Sequence, residues 1–148
     1  MSASQTDPAK LESQYRILLV LWMAFLSTVV IYLFLSFVLP RPVASENRLL
    51  TIIFSGMSVF LVLVSFVVKR KFLSRSIDEQ DLRFVRTGNV LAAALCEAAA
   101  LLGLLDALIA HDRYFYVLIA FAFLGLLLHF PRRSHLQAAT FKSVNPLN

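Results

Sequence analysis

The chain has 148 residues, of which 59% are hydrophobic and only 16% charged, with a mean hydropathy of +0.75 and a formal net charge of +5. Soluble domains average roughly 45 to 50% apolar and about 25% charged residues, so this balance excludes an ordinary water-soluble globule. The stretches outside the apolar segments are too short for a separate soluble core, and one domain over residues 1–148 is expected.

A membrane-crossing helix needs about 20 mostly apolar residues, and four segments answer to this: 17–39, 49–68, 90–110 and 114–130. The predicted fold is all-α, an integral membrane four-helix bundle. Residues 1–7 and 134–148 are read as flexible tails.

Asp7 followed by Pro8 has the form of a helix cap and a first helical residue, so helix one is expected to begin there. The first apolar stretch exceeds the roughly 7 to 15 residues of a secretory signal core, and Leu39-Pro40-Arg41-Pro42 offers no small-residue cleavage site. It is therefore read as a retained span. Pro40 and Pro42 end it, because proline lacks the amide hydrogen of a continuing helix. Trp22 is expected at the boundary, and the hydroxyls of Ser27, Thr28, Tyr32 and Ser36 are expected to bond helix carbonyls or a neighbouring helix.

Ser45 is the expected cap of a second helix running from near Glu46 to Lys71, in which Ser55, Gly56 and Ser58 offer close approach to another backbone. The connection that follows carries Lys69, Arg70, Lys71, Arg75, Arg83 and Arg86 against Asp78, Glu79 and Asp81. Ser76-Ile77-Asp78-Glu79 fits a capping box, which predicts a third helix over 77–110, about 51 Å long at 1.5 Å per residue. That length projects beyond the bilayer. Together with Arg132 and Arg133, the basic residues form a collar expected to meet anionic headgroups or a protein partner.

Eleven of the 14 Lys and Arg residues fall in the two tails and the middle connection, against Arg41, Arg48 and Arg113 on the other side. The positive-inside rule then puts both termini in the cytoplasm. Nucleic acid is not an expected partner, because these charges hug the spans.

In the third span, Gly88, Ala92, Cys96 and Ala100 form one small-residue ridge, and Ala99, Gly103 and Ala107 a second. Two ridges imply neighbours on more than one side, so this helix is expected at the centre. His111-Asp112-Arg113 makes the outer turn, and the aromatic fourth helix ends at Pro131-Arg132-Arg133. Cys96 is the one cysteine, so no intramolecular disulfide can form.

Glu97 is the carboxylate set well inside a span. A charge there costs on the order of 2.5 to 3.5 kcal/mol on insertion scales, so it calls for protonation, a partner or a wet cavity. A hairpin turning near Asp112 brings it level with Leu127, within one turn of His129, which is the expected partner. Asp106 lies half a helical rotation away and is expected at the outer boundary with His111 or Arg113.

Ala94-Leu95-Cys96-Glu97-Ala98, with Arg86 before it and Leu101, Gly103 and Leu104 beyond, resembles the carboxylate-bearing helix of the ring-forming c subunit of rotary ATP synthases. The likeness is confined to about residues 86–110. It implies that Glu97 carries a translocated proton or sodium ion. The remaining residues point to a non-catalytic accessory or structural subunit of a membrane complex or homo-oligomer, with a proton- or cation-coupled element as the alternative. No enzyme, cofactor or metal site is expected, since His111, His129 and His135 are scattered and no glycine-rich loop occurs.

Overall fold

A computed structural model describes residues 8–39, 47–79, 81–111 and 113–134. Asp7, Pro40, Arg41, Pro42, Ser45, Glu46, Asp112 and His135, with the roles expected of them, lie outside these residues, as does the tail 135–148. Four α-helices make up the described chain: α1 (Pro8–Val38), α2 (Arg48–Glu79), α3 (Leu82–Leu105) and α4 (Phe115–Leu128). A π-helical turn, Asp106–Ala110, continues α3. In lipid every backbone amide and carbonyl has to be satisfied within the protein, which is why such apolar segments are helical.

Three of these helices are long and apolar enough to cross a membrane, and the chain is a membrane protein. α4 has 14 residues, about 21 Å at 1.5 Å per residue, and is shorter than the expected fourth span.

Two helix boundaries differ from the expected ones. α2 continues to Glu79, and α3 starts at Leu82 with Asp81 as its cap, the Asp81 carboxylate accepting the Arg83 amide at 2.8 Å. Ser76 does not cap α3, because its buried hydroxyl donates instead to the Leu73 carbonyl at 2.7 Å inside α2. Arg75 pairs with Glu79 at 2.6 Å within α2 and crosses to α3 by standing 4.8 Å over the Phe84 ring. At the other end of α2 the cap is Asn47, whose side-chain oxygen accepts the Leu50 amide at 3.3 Å.

α3 packs against all the other helices and is the hub of the bundle. Half of its most apolar stretch is buried, against 11% for α1 and 17% for α2. The reason is side-chain size. Ala92, Ala99, Ala100, Gly103 and Ala107 are all buried, and their short side chains let flanking backbones come close. A Cβ added at Gly103 would sit 2.7 Å from Ile119 Cγ1 and 3.2 Å from the Ile119 amide nitrogen on α4. Gly88 is equally confined, with Phe72 Cβ of α2 at 2.6 Å from such an atom.

α2 meets α3 through Ser58, whose buried hydroxyl donates to the Ala99 carbonyl at 3.2 Å. Gly56 lies on the outer surface, with nothing within 4 Å of where its Cβ would be. At 100° per residue, two positions turn the side chain most of the way to the opposite face. Close approach on α2 is therefore made by Ser58, and Gly56 takes no part in it.

Candidate functional site

Two hydrogen-bonded groups of polar side chains meet α3, at Glu97 and at Cys96, on faces about 100° apart. The first is Glu97 with Tyr32 of α1. The tyrosine hydroxyl donates to Glu97 Oε1 at 3.4 Å, and both residues are half-buried. The other hydroxyls of α1 stay within it: Ser27 bonds the Met23 carbonyl at 2.9 Å, Thr28 that of Ala24 at 3.1 Å, and Ser36 that of Leu33 at 2.6 Å.

The second group joins α2, α3 and the end of α4. Ser65 donates its proton to the Val62 carbonyl at 2.6 Å, which leaves its oxygen to accept. His129 Nε2 lies 2.9 Å from that oxygen, and the Cys96 thiol donates to it at 3.5 Å. Lys69 Nζ donates to the His129 carbonyl at 3.2 Å, and the His129 and Phe66 rings form a T-shaped pair at a centroid distance of 4.5 Å. Ser65 and Cys96 have no exposed surface, and His129 has 2%.

The expected Glu97–His129 pairing is corrected by this geometry. Depth is not the cause: a Cβ on Gly125 of α4 would lie 3.2 Å from Cys96 Sγ, so α3 and α4 are level there, one turn from His129. The cause is helical phase. Cys96 faces Ser65, and Glu97, 100° further round α3, faces Tyr32. Lys69 is likewise corrected from a headgroup contact to a buried donor. Arg70, Lys71, Arg83, Arg86 and Arg132 remain on the surface, while Arg133 reaches Glu12 at 3.3 Å and stacks 4.8 Å over Tyr15 of α1.

Asp106 is fully buried in the π-helical turn, not at an exposed boundary. It lies seven residues on from Ala99 and three from Gly103, so ordinary helical phase puts it on the buried face that these residues form. The turn is tied to the start of α2 by the Asn47 amide, which donates to the Ala110 carbonyl at 2.9 Å, and it ends at His111 with a positive φ of 58°. Trp22 also turns inward, its indole donating to the Leu126 carbonyl of α4 at 2.9 Å. Sequence patterns gave no sign of Ser65 or Asn89 as interior polar residues. The signal available was their phase, since Asn89 and Cys96 are seven apart and share a face of α3.

Chemically, Ser65 and His129 have the spacing of a nucleophile and its base. They lack access, however, and the serine proton is directed at Val62. Among the described residues no three His, Cys, Asp or Glu side chains gather as a metal site. Comparison with known proteins yields no family model, no curated protein and no solved structure that matches the chain.

Proposed function

We propose that the protein is a non-catalytic membrane subunit that acts by association, binding a partner subunit or its own copies through the α1/α3 face bearing Tyr32 and Glu97. The observation that carries this reading is the half-buried Glu97 at mid-span, held by a long 3.4 Å bond to Tyr32. A carboxyl left partly facing lipid costs several kcal/mol, and a second protein surface over it removes that cost. Leu101, one turn along on the same face, is 40% exposed and adds apolar area to the contact. Both termini and the α2–α3 turn face the cytoplasm by the distribution of basic residues, and the exposed arginines there meet anionic headgroups.

The test is a photo-crosslinkable residue at Leu101 in native membranes, with subunit counting by photobleaching in lipid nanodiscs. A crosslink to a second copy or to a co-purifying subunit is expected. Single-step bleaching with no crosslink would overturn the proposal.

A second reading is favoured by the same pair. Glu97 is reachable from the side and has a hydroxyl partner, which suits proton or cation handling, the role implied by the rotary-subunit resemblance. On that reading a hydrophobic carbodiimide labels Glu97 in a pH-dependent way, and Glu97→Gln abolishes ion flux in proteoliposomes. Unchanged flux removes it.

A further inference from the structure

Asn89 and His129 both line a small cavity between α1, α3 and the end of α4, otherwise walled by apolar groups including Leu18, Trp22, Phe25 and Pro131. Its free space, about 10 Å³ for the centre of a water-sized sphere, is that of a single water molecule. Asn89 Oδ1 and His129 Nδ1 are both buried and, among the described residues, make no hydrogen bond. Asn89 is 7% exposed and His129 2%.

The hydrogen-bond roles of the two groups are fixed by what they touch on their other sides. Asn89 Nδ2 donates to the Val85 carbonyl at 2.8 Å. Turning the amide over would set two acceptors against each other, so Oδ1 is held as the free atom. With the Ser65 proton directed at Val62, the 2.9 Å contact with His129 Nε2 is assigned as Nε2–H donating to Ser65 Oγ. Nδ1 then carries a lone pair. The cavity thus presents two acceptors and no donor.

We propose that this cavity is a water-binding site, in which one water donates its two protons to Asn89 Oδ1 and His129 Nδ1. The water completes a polar chain that leaves α3 at Asn89, passes through His129 of α4 and Ser65 of α2, and returns to α3 at Cys96, two turns along the same face. This is independent of the association reading, since the chain draws on neither Tyr32 nor Glu97.

The test is solid-state NMR on the full chain in proteoliposomes with ¹⁵N-labelled histidine and asparagine, His129 being identified by loss of its signal in His129→Gln. His129 is expected to be protonated at Nε2 and unprotonated at Nδ1, with magnetisation passing from water to both Nδ1 and the Asn89 amide. Asn89→Leu is expected to abolish the water transfer to Nδ1. Ala93→Val, which fills the cavity from another wall, is expected to do the same without touching either polar group. A proton on Nδ1, or no water transfer in the unmodified protein, would overturn the proposal. So would His129 shifts that follow sodium when it replaces choline, since they would put a cation in the cavity.

Discussion

Cys96 and Glu97 are adjacent in the chain and face different helices. The thiol of Cys96 lies 3.5 Å from Ser65 of α2, and the carboxylate of Glu97 lies 3.4 Å from the hydroxyl of Tyr32 of α1. One peptide step thus separates a sealed polar cluster from an accessible acid. Substitutions at the two positions should accordingly have different consequences, the first for stability and the second for association.

The close approach of α3 and α4 gives a first prediction. Gly103→Ala places a methyl 2.7 Å from Ile119 Cγ1, with the Ile119 backbone behind it at 3.2 Å. Neither can yield without moving a helix, so a loss of about 1 to 3 kcal/mol is expected. Gly56→Ala meets open space and should stabilise by up to about 1 kcal/mol through helix propensity. Reversible unfolding of the two variants in mixed micelles checks both signs.

Removing the shared acceptor is a second. Ser65→Ala leaves His129 Nε2–H and the Cys96 thiol facing a methyl group, and a loss of about 1 to 3 kcal/mol is expected for the stranded donors. Ser27→Ala deletes a bond on an exposed face and should stay within about 0.5 kcal/mol. Equal effects in the same unfolding assay would contradict the burial of the cluster.

Cys96 supplies a probe that needs no engineering. With no exposed surface and its proton aimed at Ser65, it should resist maleimide in intact membranes and react fully once the protein is unfolded. A mass shift before and after denaturation reads this directly. Rapid native labelling would place the thiol outside the core.

Orientation is open to labelling in a Cys96→Ala background. Ser74→Cys and Ser134→Cys, both at exposed positions, should react with an impermeant reagent from the cytoplasmic side only. Arg113→Cys should react from the opposite side. Any other combination would break the proposed topology.

Much of the fold was legible in the sequence, for reasons visible at particular residues. The small side chains at Ala92, Ala99, Ala100, Gly103 and Ala107 marked α3 as the helix that tolerates neighbours closely, and it is the hub. Depth along α3 was also readable, because rise per residue is constant. Rotation was not. Assigning Glu97 to His129 required knowing which way each side chain points about its axis, and Ser65 of α2 is the partner that His129 meets instead. The capping-box pattern at Ser76 misled because a buried serine inside a helix satisfies itself on the preceding turn. Asp106 shares the face of Ala99 and Gly103, so its burial was open to the same phase argument, whereas the π turn that it begins left no mark in the spacing of apolar residues.

The brevity of α4 bears on the membrane itself. Its roughly 21 Å of helix stands beside α2, which at 32 residues reaches about 48 Å, while the hydrocarbon layer is about 30 Å thick. On the proposed four-span topology, lipid touching the α4 flank must shorten to match it, and lipid along α2 need not. The molecule therefore carries an uneven girdle, and thinner bilayers, or lipids with shorter acyl chains gathered on that flank, are the surroundings in which it costs least to hold.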